Sequence, residues 1–219
     1  MKIIIVSLFI FFTNLTFASN DLWLQGRVFI ANTSIKPESL NTILKSDSLK
    51  TVDKTFNYGV EITFPVSRFL EPGMRYTHRT ITSDEDPSNT QTTYSLDGKQ
   101  DSILFLARIL IIKSPVFRWD IFGGIGGSNT TLKYSSASHN GEYSKSKVAD
   151  WYATPYYSFG SSFGIGFNSI LLFGESGYES NKVKSFATTG NVTSLSELNM
   201  SGTYFMIGIM FDGVKGYKK

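Results

Sequence analysis

Seven charged residues stand in segments whose neighbours are otherwise apolar or small: Arg27, Glu61, Arg75, Arg108, Arg118, Asp120 and Glu175. Each falls on the opposite parity from the nearby apolar residues, so in an extended strand it points away from the apolar face. If these side chains share an enclosed space they must pair, because an isolated buried ion is very costly. The expected chemistry is a salt-bridge network, chiefly Arg27, Arg108 and Arg118 against Glu61, Asp120 and Glu175. The alternative is a set of separately hydrated charges. A second candidate is His78-Arg79-Thr80, which puts a base and a hydroxyl on one face of a strand. Hydrolysis by a nucleophile also needs an orienting group, and the pattern places no Glu beside them. An interfacial histidine is the plainer reading. His139 lies in the polar run Ser138-His139-Asn140-Gly141, and two histidines in all argue against a histidine metal site. Asp84, Glu85 and Asp86 read as surface charge, at most a weak cation patch. No catalytic residue, metal or cofactor is expected.

The elements that must position the seven charges are strands. Alternation with period two recurs along the chain, and no helical periodicity stands out. Eight strands are predicted, over 22–32, 55–66, 69–82, 92–112, 115–136, 149–167, 170–185 and 195–212. Short turns lie around Ser67-Arg68, Lys113-Ser114-Pro115 and Asn168-Ser169. The other connections, 33–54, 83–91, 137–148 and 186–194, are longer and rich in Ser, Thr, Asn, Asp and Lys, as solvated loops are. Pro155 lacks a ladder donor and belongs at a bulge or beyond the spanning region.

Charge is excluded from one face of six of these strands. Phe56, Tyr58, Val60, Ile62 and Phe64 share a face opposite Asn57, Glu61 and Thr63. Leu22, Leu24, Val28 and Ile30 oppose Gln25 and Arg27. Ile103, Phe105, Ala107, Ile109 and Ile111 oppose Arg108, and Phe205, Ile207, Ile209 and Phe211 oppose Tyr204 and Gly208. Lipid enforces such a face, since Arg or Lys at a bilayer midplane costs about 2–4 kcal/mol. A soluble barrel would reverse the arrangement, and a sandwich would use shorter strands. Aromatic girdles are expected where rings meet headgroups: Phe64, Phe117, Trp119, Phe167 and Phe211 near the turns, and Tyr58, Trp151 and Tyr157 near the loops. The weaker strands, three and seven, would turn His78, Thr80, Gly174 and Ser176 outward. The fold class is therefore all-β: an eight-stranded antiparallel up-and-down transmembrane β-barrel.

Composition agrees. The chain has 219 residues, 18 Phe, 11 Tyr, 19 Gly and 6 Pro, which favours strands and close backbone contacts over helix bundles. It has no cysteine, which excludes disulfides and a Cys-anchored lipid. A net charge of +3 gives no case for nucleic acid. Lys2 precedes the short apolar run Ile3 to Phe12, and Thr16-Phe17-Ala18 ends it with small residues at both sites a signal peptidase reads. Residues 1–18 are predicted to be a signal peptide, with 19–219 as the barrel domain; the alternative is an uncleaved anchor.

The run Gly202-Thr203-Tyr204-Phe205-Met206-Ile207-Gly208-Ile209-Met210-Phe211 resembles the terminal-strand signal of bacterial outer-membrane barrels. Phe122-Gly123-Gly124-Ile125-Gly126-Gly127 and Phe163-Gly164-Ile165-Gly166-Phe167 are similar to segments of such barrels, and neither is a phosphate loop. The mature chain resembles the eight-stranded family around the membrane domain of OmpA and OmpX. That resemblance implies a polar plug in the lumen, lipid around the barrel, and the barrel assembly machinery as a partner in biogenesis. It implies the bacterial outer membrane as location and a non-enzymatic role in envelope structure, adhesion or interaction, as a monomer. A small pore or hydrophobic conduit of the OmpW type is the alternative. His78 with Thr80 also resembles part of the lipid A deacylase arrangement, with Thr in place of Ser. The sequence names no ligand for the loops.

Overall fold

The computed structural model describes residues 24–47, 49–83, 95–114, 116–135, 140–146, 155–167, 169–184, 186–192, 195 and 197–212. Its strands are β1 (Gln25–Ile35), β2 (Lys54–Thr63), β3 (Leu70–Ser83), β4 (Ser95–Lys113), β5 (Phe117–Ser135), β6 (Asn140–Ser146), β7 (Tyr156–Phe167), β8 (Ile170–Lys184), β9 (Ala187–Asn191), β10 (Glu197–Asn199) and β11 (Gly202–Asp212). A helix, α1 (Glu38–Ser46), lies between β1 and β2. Eight strands close a barrel in the order β1-β2-β3-β4-β5-β7-β8-β11, every pair antiparallel, with β11 returning to β1. The seam is regular: Gln25 faces Asp212 and Ile35 faces Gly202. Closure leaves these strands without an open edge, as a spanning sheet requires.

Alternation sets the two faces. In β1, Arg27, Phe29, Ala31, Thr33 and Ile35 are buried inside while Val28 and Ile30 are exposed outside. Glycine makes room where the wall is tightest. A Cβ on Gly59 would lie 2.1 Å from the Tyr76 carbonyl oxygen and 2.6 Å from the Phe29 ring, so the ring can fill the lumen only over a bare backbone. At the turn end, Ser67 Oγ accepts from the amides of Phe69 and Leu70, and Ser114 Oγ accepts from those of Val116 and Phe117. These hydroxyls hold two of the short turns.

Several boundaries differ from expectation. The segment 33–54 is not all loop: α1 forms after Pro37, with Glu38 in its first turn and Lys45 in its last, where each favours the helix dipole. Leu40 and Leu44, four apart, are buried on one face. A helix this short offers few turns of periodicity, which explains its absence from the sequence reading. The polar stretches 137–148 and 186–194 contain β6 and β9, which pair with each other from Asn140–Asn191 to Ser144–Ala187, while β6 also pairs antiparallel with the loop-end half of β5. Backbone pairing on the prolonged β5 overrides their turn-like composition. The predicted strand 195–212 divides into β10 and β11, and Met200 at the break donates its amide to the Asn181 carbonyl. Pro155 lies just outside β7, so no ladder bond is lost there. The expected signal peptide, Leu22, Trp151, His139, Asp84, Glu85, Asp86 and the tail after Asp212 lie outside the described residues.

The lumen is layered along the barrel axis. Ionic side chains lie towards the turn end. The rings of Phe122 and Phe173 pack among them, and nearer the loop end lies a second polar tier containing Asn57, Arg79, Glu179 and Asn181. The loop end is a dry cap of Ile35, Ile81, Leu96, Leu132, Tyr134, Val183, Leu198 and Met200, closed from above by Leu40 and Leu44 of α1.

Candidate functional site

The seven charges singled out in the sequence meet in one network. Arg108 on β4 is its hub. Its Nε lies 2.6 Å from Glu61 Oε1, its Nη1 2.5 Å from Asp120 Oδ1 and its Nη2 2.7 Å from Glu175 Oε2. Arg75 binds Glu61 and Glu175 from β3, each at 2.7 Å. Arg27 reaches Asp120 at 2.9 Å from β1, and Arg118 reaches the same carboxylate at 2.8 Å. Aromatic faces complete the packing: the Arg108 guanidinium sits 4.7 Å over the Phe122 ring and that of Arg27 5.0 Å over Phe173.

Three members were missed by sequence reasoning. Glu71 binds Arg118 at 2.5 Å and Lys113 at 3.2 Å, extending the network to the turn end. Arg79 pairs with Glu179 in the upper tier, where Tyr156 also donates to Glu179 at 2.8 Å. Their signal was present, since Glu71 and Arg79 share parity with Arg75, and Glu179 with Glu175. The buried ionic side chains among the described residues are then Arg27, Arg75, Arg79, Arg108 and Arg118 against Glu61, Glu71, Asp120, Glu175 and Glu179, five of each sign. Between the two tiers, Phe29, Ala31, Asn57, Arg75, Thr77 and Tyr204 line a void of ≈ 10 Å³, room for about one water.

The outer wall is the inverse. Val28, Ile30, Val60, Phe105, Ile109, Ile125, Phe163, Ile165, Leu172, Ile207 and Ile209 are all exposed. Of the expected aromatic girdle, Tyr58, Tyr157, Phe167 and Phe211 are exposed on this wall, while Phe117 and Trp119 are partly covered. Phe64 lies just beyond β2 and is also partly covered. Trp119 stacks on Phe163 with centroids 5.5 Å apart and donates its Nε1–H to Ser161 Oγ at 3.0 Å. Val66, which continues the outward parity of β2, and Phe69, in the turn that follows, add exposed apolar surface. On β3, His78 does face outward. An unanticipated acid meets it: Nδ1 lies 2.8 Å from Asp101 Oδ1 on β4, which also accepts the Tyr76 hydroxyl at 2.6 Å. The β3–β4 register pairs His78 directly with Asp101, information that the intervening loop hides from the sequence.

Ions inside and hydrocarbon outside reverse the order that water imposes on a soluble barrel. The chain is a membrane-spanning β-barrel. No protein-family model matches it, and no curated protein does. Among solved structures, it is similar to Ail, the attachment invasion locus protein of Yersinia pestis, at 10% identity and a TM-score of 0.49, over 87% of this chain and 98% of that one. It is also similar to the outer membrane protein OprG of Pseudomonas aeruginosa, at 14% identity and a TM-score of 0.48, over 87% and 95%. The outer membrane protease OmpT of Escherichia coli aligns at 6% identity and a TM-score of 0.48, over 89% and 99%. These are likenesses of shape and assign no activity to this chain.

Chemically, the luminal network can hold the barrel wall together. Among the described residues no cluster of His, Asp and Glu has the arrangement of a metal site.

Proposed function

We propose that the protein is a non-enzymatic integral component of the bacterial outer membrane, with a plugged lumen and loops presented to the exterior for envelope structure, adhesion or interaction. The observation that carries this reading is the pairing of five buried arginines with five buried acids beneath a dry cap. An N-terminal export signal and short turns at one barrel end support an outer-membrane address with the turns in the periplasm. Lipid surrounds the belt, the barrel assembly machinery inserts the chain, and the closed barrel is complete as a monomer.

One observation favours a second reading. Asp101 supplies the orienting carboxylate that a lipid hydrolase built on His78 needs. The plausible nucleophile, Thr80, makes no hydrogen bond to His78 in this structure, so the non-enzymatic reading is preferred. Fractionation of the producing cell, followed by a deacylation assay of the purified protein on lipid A, tests both. Recovery in the outer-membrane fraction with no fatty acid released is expected. Release of fatty acid that disappears in His78→Ala would overturn the non-enzymatic reading.

A further inference from the structure

We propose that the outer wall of β3–β5 carries a docking site for the phosphorylated sugar headgroup of an outer-leaflet glycolipid, centred on His78 and Asp101. The proposal rests on the outer-membrane reading and adds a ligand to it.

The register sets the residues in two adjacent rows. Tyr58, His78, Asp101 and Asn129 lie opposite one another across β2 to β5, and Thr80, Lys99 and Thr131 form the next row towards the loop end. The row on the other side is apolar in Val60 and Ile103. The strand rises ten residues from Ile111 to Asp101. At about 3.3 Å per residue and a tilt of about 40°, this is about 25 Å, the height of an apolar belt. The His78 row therefore lies where acyl chains give way to headgroups.

Ionisable groups on a lipid-facing wall are costly and mark function by default. These contribute nothing to the lumen, whose charges balance without them. Asp101 Oδ1 takes both Tyr76 and Nδ1 of His78, and the Tyr58 ring sits 4.9 Å from the imidazole. The ring is thereby held with Nε2 left for an outside partner. The His78 and Asp101 side chains keep 14% and 22% of their surface, enough to be touched from the bilayer. Lys99 is exposed, and none of the described residues forms an ion pair with it. An ammonium beside hydroxyls suits a phosphate, and a carboxylate beside an amide suits sugar hydroxyls. A glycerol phosphate would use only the first half of the ledge, so the combination selects a sugar phosphate.

The test is native mass spectrometry of the full mature protein, released from micelles holding equal amounts of diphosphorylated lipid A and phosphatidylglycerol. The parent is expected to retain lipid A over phosphatidylglycerol by about tenfold, one well-made charged contact. Asp101→Asn and Lys99→Ala should each remove most of that preference. The Lys99 side chain is exposed and has no ion-pair partner among the described residues, so Lys99→Ala keeps the test decisive if Asp101→Asn misfolds. Equal retention of the two lipids by the parent, or undiminished preference in Lys99→Ala, overturns the site. Heat-modifiable gel mobility, measured on the same samples, reports separately on the barrel itself.

Discussion

Arg108 and Glu61 meet through a two-point contact across the lumen, Nε on Oε1 at 2.6 Å and Nη2 on Oε2 at 2.7 Å, although β3 separates their strands in the wall. Such a fork ties β2 to β4 through the interior, a link the backbone ladder cannot make. Removing one side leaves the other charged and buried. Glu61→Gln is expected to cost about 3–5 kcal/mol, because Arg108, Arg75 and Arg27 all depend on that carboxylate. In a double-mutant cycle with Arg108→Gln, the joint loss should fall short of the sum. Urea unfolding in lipid vesicles, followed by tryptophan fluorescence, measures both.

The outward belt makes a prediction about position. Phe105 is 51% exposed at mid-belt, and an Arg there should destabilise the barrel by about 2–4 kcal/mol. Thr131 shares the outer face beside Lys99, above the belt, and Thr131→Arg should change stability by no more than about 1 kcal/mol. Equal losses in the same unfolding assay would mean that the belt boundary is misplaced.

The cap can be loosened without opening the barrel. Leu44, on the inner face of α1, is fully buried, and truncation to Ala typically costs about 2–5 kcal/mol where a cavity remains. The loss should be local, because α1 touches only the loop end. Leu44→Ala is expected to speed trypsin cleavage at Lys50 or Lys54 while gel mobility before and after boiling stays that of the parent.

Most of this architecture is legible in the sequence because lipid leaves a simple mark. Parity alone assigns Val28, Val60, Ile109 and Ile207 outward and Arg27, Glu61 and Arg108 inward. The same rule would have supplied Glu71, Arg79 and Glu179. What parity cannot supply is register. His78 meets Asp101 only because β3 and β4 are aligned by a connection whose length carries no alternation. The cap was hidden for another reason. Leu96, Leu132 and Val183 continue the inward parity of their strands, but above the belt the same positions turn from ionic to apolar. No local pattern marks where the change occurs. The short helix and the polar strands β6 and β9 form because neighbouring structure offers them partners, not because their residues favour those states.

Export makes a prediction independent of the barrel. Cleavage after Ala18 is expected from the small residues at Thr16 and Ala18. N-terminal sequencing of protein from the membrane fraction should read Ser19-Asn20-Asp21, and an intact Met1 would contradict it.

The proposed role requires a lumen closed by its own charges. Eight strands enclose a space that side chains alone can fill, and here mutually paired ions and a dry cap fill it. Planar-bilayer recording of the purified, folded protein tests this most directly. A silent parent is expected, with no stable conductance at any applied voltage that the bilayer survives. Steady porin-like channels from the parent protein would contradict it.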